Sequence, residues 1–325
     1  MNSIKQNTQK KMIIDTDPGI DDAMAILLAF QSPELNVIGL TTTFGNVPTA
    51  VATRNALHLC ELAGKEDVPV AQGLLTTLRG VVKLRVADFV HGSDGLGNTN
   101  PPEPKQRPID LSGPEFLVAK VQEFPGEVTV VALGPLTNIA KALELDSNFP
   151  KKVKDIFILG GAFFVNGNVN PAAEANIFGD PEAADMVFTC GANITVIGIN
   201  ITHQVVMTGR EIEELGKCNS KFGKYLCKAL PFYYDYHLRS YNTDAIYLHD
   251  PTTVVAAIDP SLLTYAEGVV RVQQEGLCRG LTLFNSTTKK WAQPTEWCNK
   301  QPIKVAITVD AENVANLIKA RLMAL

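Results

Sequence analysis

The stretch MIIDTDPGIDDAMAILLAF, residues 12–30, decides how this chain is to be read. Residues 12–14 are apolar and rich in β-branched side chains, which predicts a buried strand, and residues 21–31 follow with helical character. A short apolar strand that passes through a tight acidic turn into an apolar helix is the opening of a βαβ unit. Four carboxylates, Asp15, Asp17, Asp21 and Asp22, fall within eight residues of that turn. One aspartate is explained by capping the helix and favouring its dipole, but four are not. They repel one another at a strand end unless a cation offsets their charge, and an all-oxygen set suits a hard ion such as Ca²⁺ or Mg²⁺. An EF-hand is excluded, because counting from Asp15 puts Ile20 and Ile26 where that loop needs Gly and Glu.

Outward from this stretch the alternation continues. Strands are expected at residues 36–43, 128–133, 156–159, 194–199, 269–272 and 305–309. Between them lie helices at 49–63, from about Leu136, at 181–190 with Asp180 as N-cap and Pro181 at the first position, and at the C-terminus through Val314, Leu317, Ile318 and Leu322. The expected fold class is α/β, one domain over residues 1–325 with a mostly parallel central sheet flanked by helices. Residues 1–11 read as a flexible N-terminus. The Pro-rich stretch 100–108 reads as a surface loop, and residues 210–247 as a helical cap without a clear strand near the site.

Composition narrows the function. With 29 Lys and Arg against 34 Asp and Glu, the net charge of −5 supplies no cationic field for nucleic acid or an anionic membrane. The longest strictly apolar run, residues 23–30, is far short of the roughly 18 residues of a membrane span. Residues 1–11 are polar and lack the apolar core of a secretion signal, and six cysteines without C-x-x-C spacing read as reduced thiols. A cytoplasmic protein with a small-molecule partner is expected, with no nucleic acid and no membrane.

The residues also resemble a known family. DTDPGIDDAMAI (15–26), TTTFGN (41–46), HGSDGLGN (91–98), ALGPLTNIA (132–140), LGGAFFVNGNVNPAAEANIFGDPEAAD (159–185) and YLHDP (247–251) match, in order, the motifs of the inosine-uridine nucleoside N-ribohydrolases. The resemblance is strongest to the plant branch, which includes uridine, inosine and xanthosine nucleosidases. It implies the nucleoside hydrolase fold, a bound Ca²⁺, a homodimer or homotetramer, and hydrolysis of ribonucleosides, cytokinin ribosides among them, in nucleoside salvage or degradation. By the same resemblance Asp17 contacts Ca²⁺ and acts as general base, Asp22 and Asp250 are further ligands, and the Leu133 carbonyl completes the protein's share. Asp21, Asn46, Asn168, Glu174 and Asn176 match positions that hold the ribose, His249 the acid for the leaving base, and His91 a residue close to that base. Ala175 departs from the pattern, standing where several relatives carry an aromatic residue.

The chemistry suits these residue types. Cleaving an N-glycosidic bond builds positive charge on the sugar, so carboxylates stabilise it, while amides and carboxylates grip neutral hydroxyls. A His can pass a proton to a departing base near pH 7. At least one of Asn166 and Asn170 is expected to be turn chemistry alone. His58 reads as structural, and His203 and His237 carry no motif. Tyr233, Tyr234, Tyr236 and Tyr241 read equally as a base-stacking wall or as helix packing, with Tyr241 taken as the base contact; Trp291 and Trp297 are expected to pack the C-terminal region. Two alternatives stand beside this reading: a phosphatase of the haloacid dehalogenase type, from the D-x-D of Asp15 and Asp17, and a Ca²⁺-bound nucleoside sensor without turnover.

Overall fold

The computed structural model describes residues 9–82, 86–287, 289 and 291–324. Among these, strands β1 (Lys10–Thr16), β2 (Leu35–Thr42), β3 (Val70–Gln72), β4 (Val128–Ala132), β5 (Asp155–Leu159) and β6 (Ile194–Ile197) form the parallel part of the main sheet. Two short strands, β7 (Val206–Thr208) and β8 (Ala245–Tyr247), pair separately, and β9 (Leu263–Val272), β10 (Thr282–Asn285) and β11 (Ile303–Val309) complete the main sheet. The order is β10-β9-β11-β6-β5-β4-β1-β2-β3, nine strands in all, with β9 antiparallel to both β11 and β10.

Alternation along β1 divides the core in two. Met12 and Ile14 enter one apolar cluster with the helices α1 (Ile20–Phe30) and α2 (Thr49–Ala63), while Ile13 points to the opposite cluster. That second cluster is covered by α3 (Gly113–Glu123), α4 (Thr137–Leu145) and α5 (Pro181–Phe188). The first is closed by α6 (Lys221–Tyr241), α7 (His249–Ile258) and α8 (Ala311–Met323). Residues 20–29 of α1 are all buried, which explains the apolar run: this helix meets protein on every side. Each such aliphatic side chain contributes about 1.5–3 kcal/mol on burial, so the strand-turn-helix that carries the acidic residues stands on a well-supported frame.

The order of strands fixes where a ligand can lie. The chain leaves β1 for β2 and β3 on one side, then returns to β4, β5 and β6 on the other. This reversal opens a crevice beyond the carboxyl ends of β1 and β4, the place where open α/β sheets receive ligands.

Several expectations are corrected. β1 begins at Lys10, so Lys10 and Lys11 belong to the sheet and not to a flexible N-terminus, and residues 1–8 lie outside the described residues. β6 stops at Ile197 because Gly198 turns the chain into a short helix, Ile199–Thr202. The 210–247 cap is helical, as expected, but also contains β8. β3, β7 and β8 are three residues each, too short to show a period. The stretch 100–108 is a loop pinned to α2, with Glu61 Oε1 accepting from the N–H groups of Lys105 at 2.5 Å and Gln106 at 2.8 Å. Trp291 does not pack the C-terminal region; it is 49% exposed, with the Lys289 ammonium 4.4 Å from its ring.

Candidate active site

The acidic turn is shaped by its own hydrogen bonds. Asp22 sits in the first turn of α1, and its Oδ2 accepts from Gly19 N–H at 3.0 Å and from Asn46 Nδ2 at 2.9 Å. Its Oδ1 accepts from the Thr16 hydroxyl and from Asp17 N–H at 3.3 Å. Asp17 Oδ2 in turn accepts from Asn46 N–H at 2.6 Å. Two glycines make room for that carboxylate: a Cβ at Gly45 would stand 1.9 Å from Asp17 Oδ2, and one at Gly134 would stand 2.5 Å from Oδ1. Asp15 plays a different part. It lies beneath the site, where Thr41 Oγ1 donates to it at 2.5 Å and Asn138 Nδ2 at 2.7 Å, and burial raises its pKa to about 6 against those two bonds.

Three carboxylates meet here. Oxygens of Asp21, Asp22 and Asp250, all buried, lie within 4.8 Å of one another. Two of the three expected carboxylate ligands, Asp22 and Asp250, are in this group, joined by Asp21. Burial, reinforced by the charges of Asp21, Asp22 and Asp17, pushes the Asp250 carboxyl well above the usual range. Asp21 rises to about 7, first by burial and then through Asp22. Asp21 Oδ1 is buried and has no hydrogen-bond donor. Buried, mutually repelling oxygens with an orphaned acceptor are the donor set of a hard divalent cation, and the residues fit one.

Above them opens a cavity of about 660 Å³. Asp21, Asn46, His91, Leu133, Asn168, Glu174, Asn176, Tyr241, His249 and Asp250 all line it, and Asp17 and Asp22 lie in the turn behind them. The loop 166–176, which contributes to the wall, is tied by hydrogen bonds within itself and to its neighbours. Glu174 Oε2 accepts from Gly161 N–H at 3.0 Å and Ile177 N–H at 3.2 Å, and its Oε1 from Asn176 N–H at 2.9 Å. Asn168 Oδ1 accepts from Ala175 N–H at 2.9 Å, and Asn176 Nδ2 donates to Leu133 O at 2.6 Å. Asn170 caps the turn at Ala172 and Ala173, the turn role expected of one asparagine in this loop.

Rings line the cavity as well. HGSDGLGN is a tight turn in which Asp94 accepts from the N–H groups of Leu96, Asn98 and Asn100, each at 2.8 Å, with Gly92, Gly95 and Gly97 at positive φ. It presents His91, whose Nδ1 accepts from Ile20 N–H at 3.1 Å, so the proton of the neutral ring stands on Nε2. His91 stacks on Tyr233, whose hydroxyl donates to Asp21 Oδ2 at 3.2 Å. Tyr236 and Tyr241 also line the cavity, whereas the Tyr234 hydroxyl turns to the exposed Asp244, so the tyrosine cluster is wall and packing at once. His249 places Nδ1 2.6 Å from Thr202 Oγ1, and burial holds its pKa well below the ordinary value.

The motif search passed over several residues. His237 lines the cavity between Tyr233 and Tyr241, and His203 stacks on Tyr247 at 4.3 Å. The four-residue spacing of Tyr233, His237 and Tyr241 was the available signal for the first, whereas nothing local marks His203. Val86, Phe89 and Phe178 add apolar wall. His58 is structural, packed against Tyr225.

Comparison with known proteins agrees with this geometry. A probable uridine nucleosidase of Arabidopsis thaliana is 61% identical over 97% of this chain and 98% of its own length. A pyrimidine-specific ribonucleoside hydrolase of Citrobacter koseri is 34% identical over 96% and 97%. The solved structure of a plant nucleoside hydrolase superposes with a TM-score of 0.96 at 65% identity, covering 97% of this chain and 99% of that one. The sequence model described as inosine-uridine preferring nucleoside hydrolase matches residues 12–316, nearly the whole chain. With the strand-end carboxylates, the polar loop and the ring wall gathered in one crevice, the chain belongs to the inosine-uridine preferring nucleoside hydrolase family and is a hydrolase.

Proposed function

We propose that this enzyme hydrolyses the N-glycosidic bond of ribonucleosides, with uridine, inosine and xanthosine as substrates and cytokinin ribosides as larger ones, and that it requires Ca²⁺. One observation carries the reading: a single cavity is lined together by amide and carboxylate side chains, by aromatic rings and by the buried carboxylates Asp21 and Asp250. The relatives' activities, uridine nucleosidase and pyrimidine-specific ribonucleoside hydrolase, support it.

Asp22 and Asp250 would hold the ion together with Asp17 and the Leu133 carbonyl, and Ca²⁺ suits a set made of oxygen alone. When bound, it neutralises the carboxylates and lowers the pKa of a coordinated water. Asp21, Asn46, Asn168, Glu174 and Asn176 grip the ribose hydroxyls and orient C1′. Asp17 takes a proton from the attacking water, whose oxygen bonds to C1′ as the C1′–N bond breaks. The electron pair of that bond leaves on the base, which takes up a proton from His249, while His91 and Tyr241 contact its ring. A homodimer or homotetramer in the cytoplasm belongs to the same reading, and six free cysteines are consistent with a reducing compartment.

The test is to incubate purified protein with uridine, inosine, xanthosine and UMP and to assay reducing sugar, after chelation and after Ca²⁺ is restored. Ribose release from the nucleosides, lost on chelation and recovered with Ca²⁺, is expected. Phosphate release from UMP with uridine untouched would favour the phosphatase instead, and binding without turnover the sensor.

A further inference from the structure

The segment that precedes β7 lies against the segment that ends in His249. Val206 pairs with Tyr247 across β7 and β8, and Leu248 N–H donates to Val205 O at 3.0 Å. The His203 ring stacks on Tyr247 with 24° between planes. Thr202 is fully buried, and its Oγ1 stands 2.6 Å from His249 Nδ1. Its place is fixed from behind: Thr202 ends the short helix that begins after Gly198, where a Cβ would come within 2.8 Å of the Gly161 carbonyl. We infer that Thr202 is a positioning residue for His249, its hydroxyl donating to Nδ1 so that the ring keeps its proton on Nε2, the nitrogen left for the cavity.

A neutral imidazole has one donor and one acceptor nitrogen, and the bond made by one sets the state of the other. A hydroxyl can serve either. What decides here is the remainder of Thr202: among the described residues its Oγ1 has no other hydrogen-bond partner. If it accepted from Nδ1–H, its own O–H would be a buried donor without an acceptor, an arrangement that folded proteins avoid. If it donates to Nδ1, its donor is used, and Nε2–H is the only proton the ring can present. A departing base needs a donor, so this is the tautomer that serves it. The other side of the clamp, His203 on Tyr247, holds the backbone leading into His249, so orientation and tautomer are set by adjacent residues on one short segment.

The inference rests on the proposed role of His249 in helping the base to leave, and the test separates the two. Wild type, Thr202→Val and Thr202→Ser are compared on inosine and on a nitrophenyl riboside, whose leaving group departs as a stable anion and needs no proton. Thr202→Val should lose about 10- to 100-fold in kcat on inosine, the range seen when a group that orients a functional His is removed. Its KM should hold, and so should its rate on the nitrophenyl riboside. Thr202→Ser, which keeps the hydroxyl, should recover most of the loss. Side-chain ¹⁵N NMR of the wild type should show His249 Nδ1 bare and Nε2 protonated, with a tautomer mixture in Thr202→Val. Equal losses of Thr202→Val on both substrates, an unchanged kcat on inosine, or a protonated Nδ1 in the wild type would overturn the assignment. If His249→Ala itself loses equally on both substrates, the role of His249 fails while the NMR result still decides what Thr202 does.

Discussion

Asn46 donates its main-chain N–H to Oδ2 of Asp17 at 2.6 Å, and the same residue's side chain donates to Asp22 at 2.9 Å. One residue from the β2–α2 connection thus sets the angle between two carboxylates of a different turn. The neighbouring Gly45 has to be a glycine for this to hold, because any Cβ there overlaps the Asp17 carboxylate.

Gly45→Ala should therefore act as a local displacement of Asp17. A shift of about 1 Å in a reacting group costs on the order of 100-fold, so kcat on uridine should fall by about that factor. Asp17→Ala should abolish turnover with the circular dichroism spectrum of the fold retained. A Gly45→Ala enzyme with wild-type kcat would show that the position of Asp17 is not critical.

Purified protein should contain about one Ca²⁺ per chain, because Asp21, Asp22 and Asp250 are held together against their mutual repulsion. Chelation should lower the thermal unfolding midpoint, and ligand at about 100 times its Kd should restore about 2.7 kcal/mol. Elemental analysis finding zinc or no metal, with an unfolding midpoint indifferent to Ca²⁺, would count against the site.

Asn168→Ala should raise KM for ribonucleosides more than it lowers kcat, since it removes the proposed hydroxyl contact and also frees the Ala175 N–H that shapes the loop. Deoxyuridine should be a poor substrate for wild type and variant alike, because a site built to bind a hydroxyl rejects the analogue lacking it. Efficient cleavage of deoxyuridine by the wild type would remove the loop from hydroxyl recognition.

His237 gives a stability prediction independent of catalysis. Its Nδ1–H donates to Tyr233 O at 2.8 Å, and burial holds its pKa at about 4 against an ordinary 6.5. Between those values the unfolded chain takes up a proton and the folded chain does not, so this contribution to stability is present above pH 6.5 and is lost as pH falls toward 4, by about 3 kcal/mol in all. Urea unfolding at pH 7 and pH 5 should show His237→Gln losing about 2 kcal/mol less than wild type over that interval. Identical slopes would mean that His237 titrates normally in the fold.

Much of this was legible from residues alone. DTDPGIDD declares a strand, a turn and a helix through adjacent apolar runs, and its excess of carboxylates points to a group that could hold a cation. Asn168, Glu174 and Asn176 are singled out by the family resemblance, and all three line the cavity. What escaped depends on contacts between distant segments. Neighbouring aspartates look alike in sequence, and only the fold shows that Asp21 joins Asp22 and Asp250 and that Asn46 bonds both Asp17 and Asp22. Tyr233, His237 and Tyr241 share a helix face by spacing, yet spacing does not say whether that face meets core or cavity. His203 matters only because β7 and β8 pair, and strands of three residues leave no period to read.

The carboxylate group described above is recruited from segments far apart in the chain, Asp21 and Asp22 from the first turn of α1 and Asp250 from the start of α7. On the ribosome, then, the emerging polypeptide carries its acidic turn for most of translation without the partner that completes it. No cation can be captured by the full set until residue 250 has left the exit tunnel and α7 has docked on α1. A fragment released early would keep the repulsion and gain none of the relief, so ion uptake would report that synthesis had run past this point and that the two segments had met.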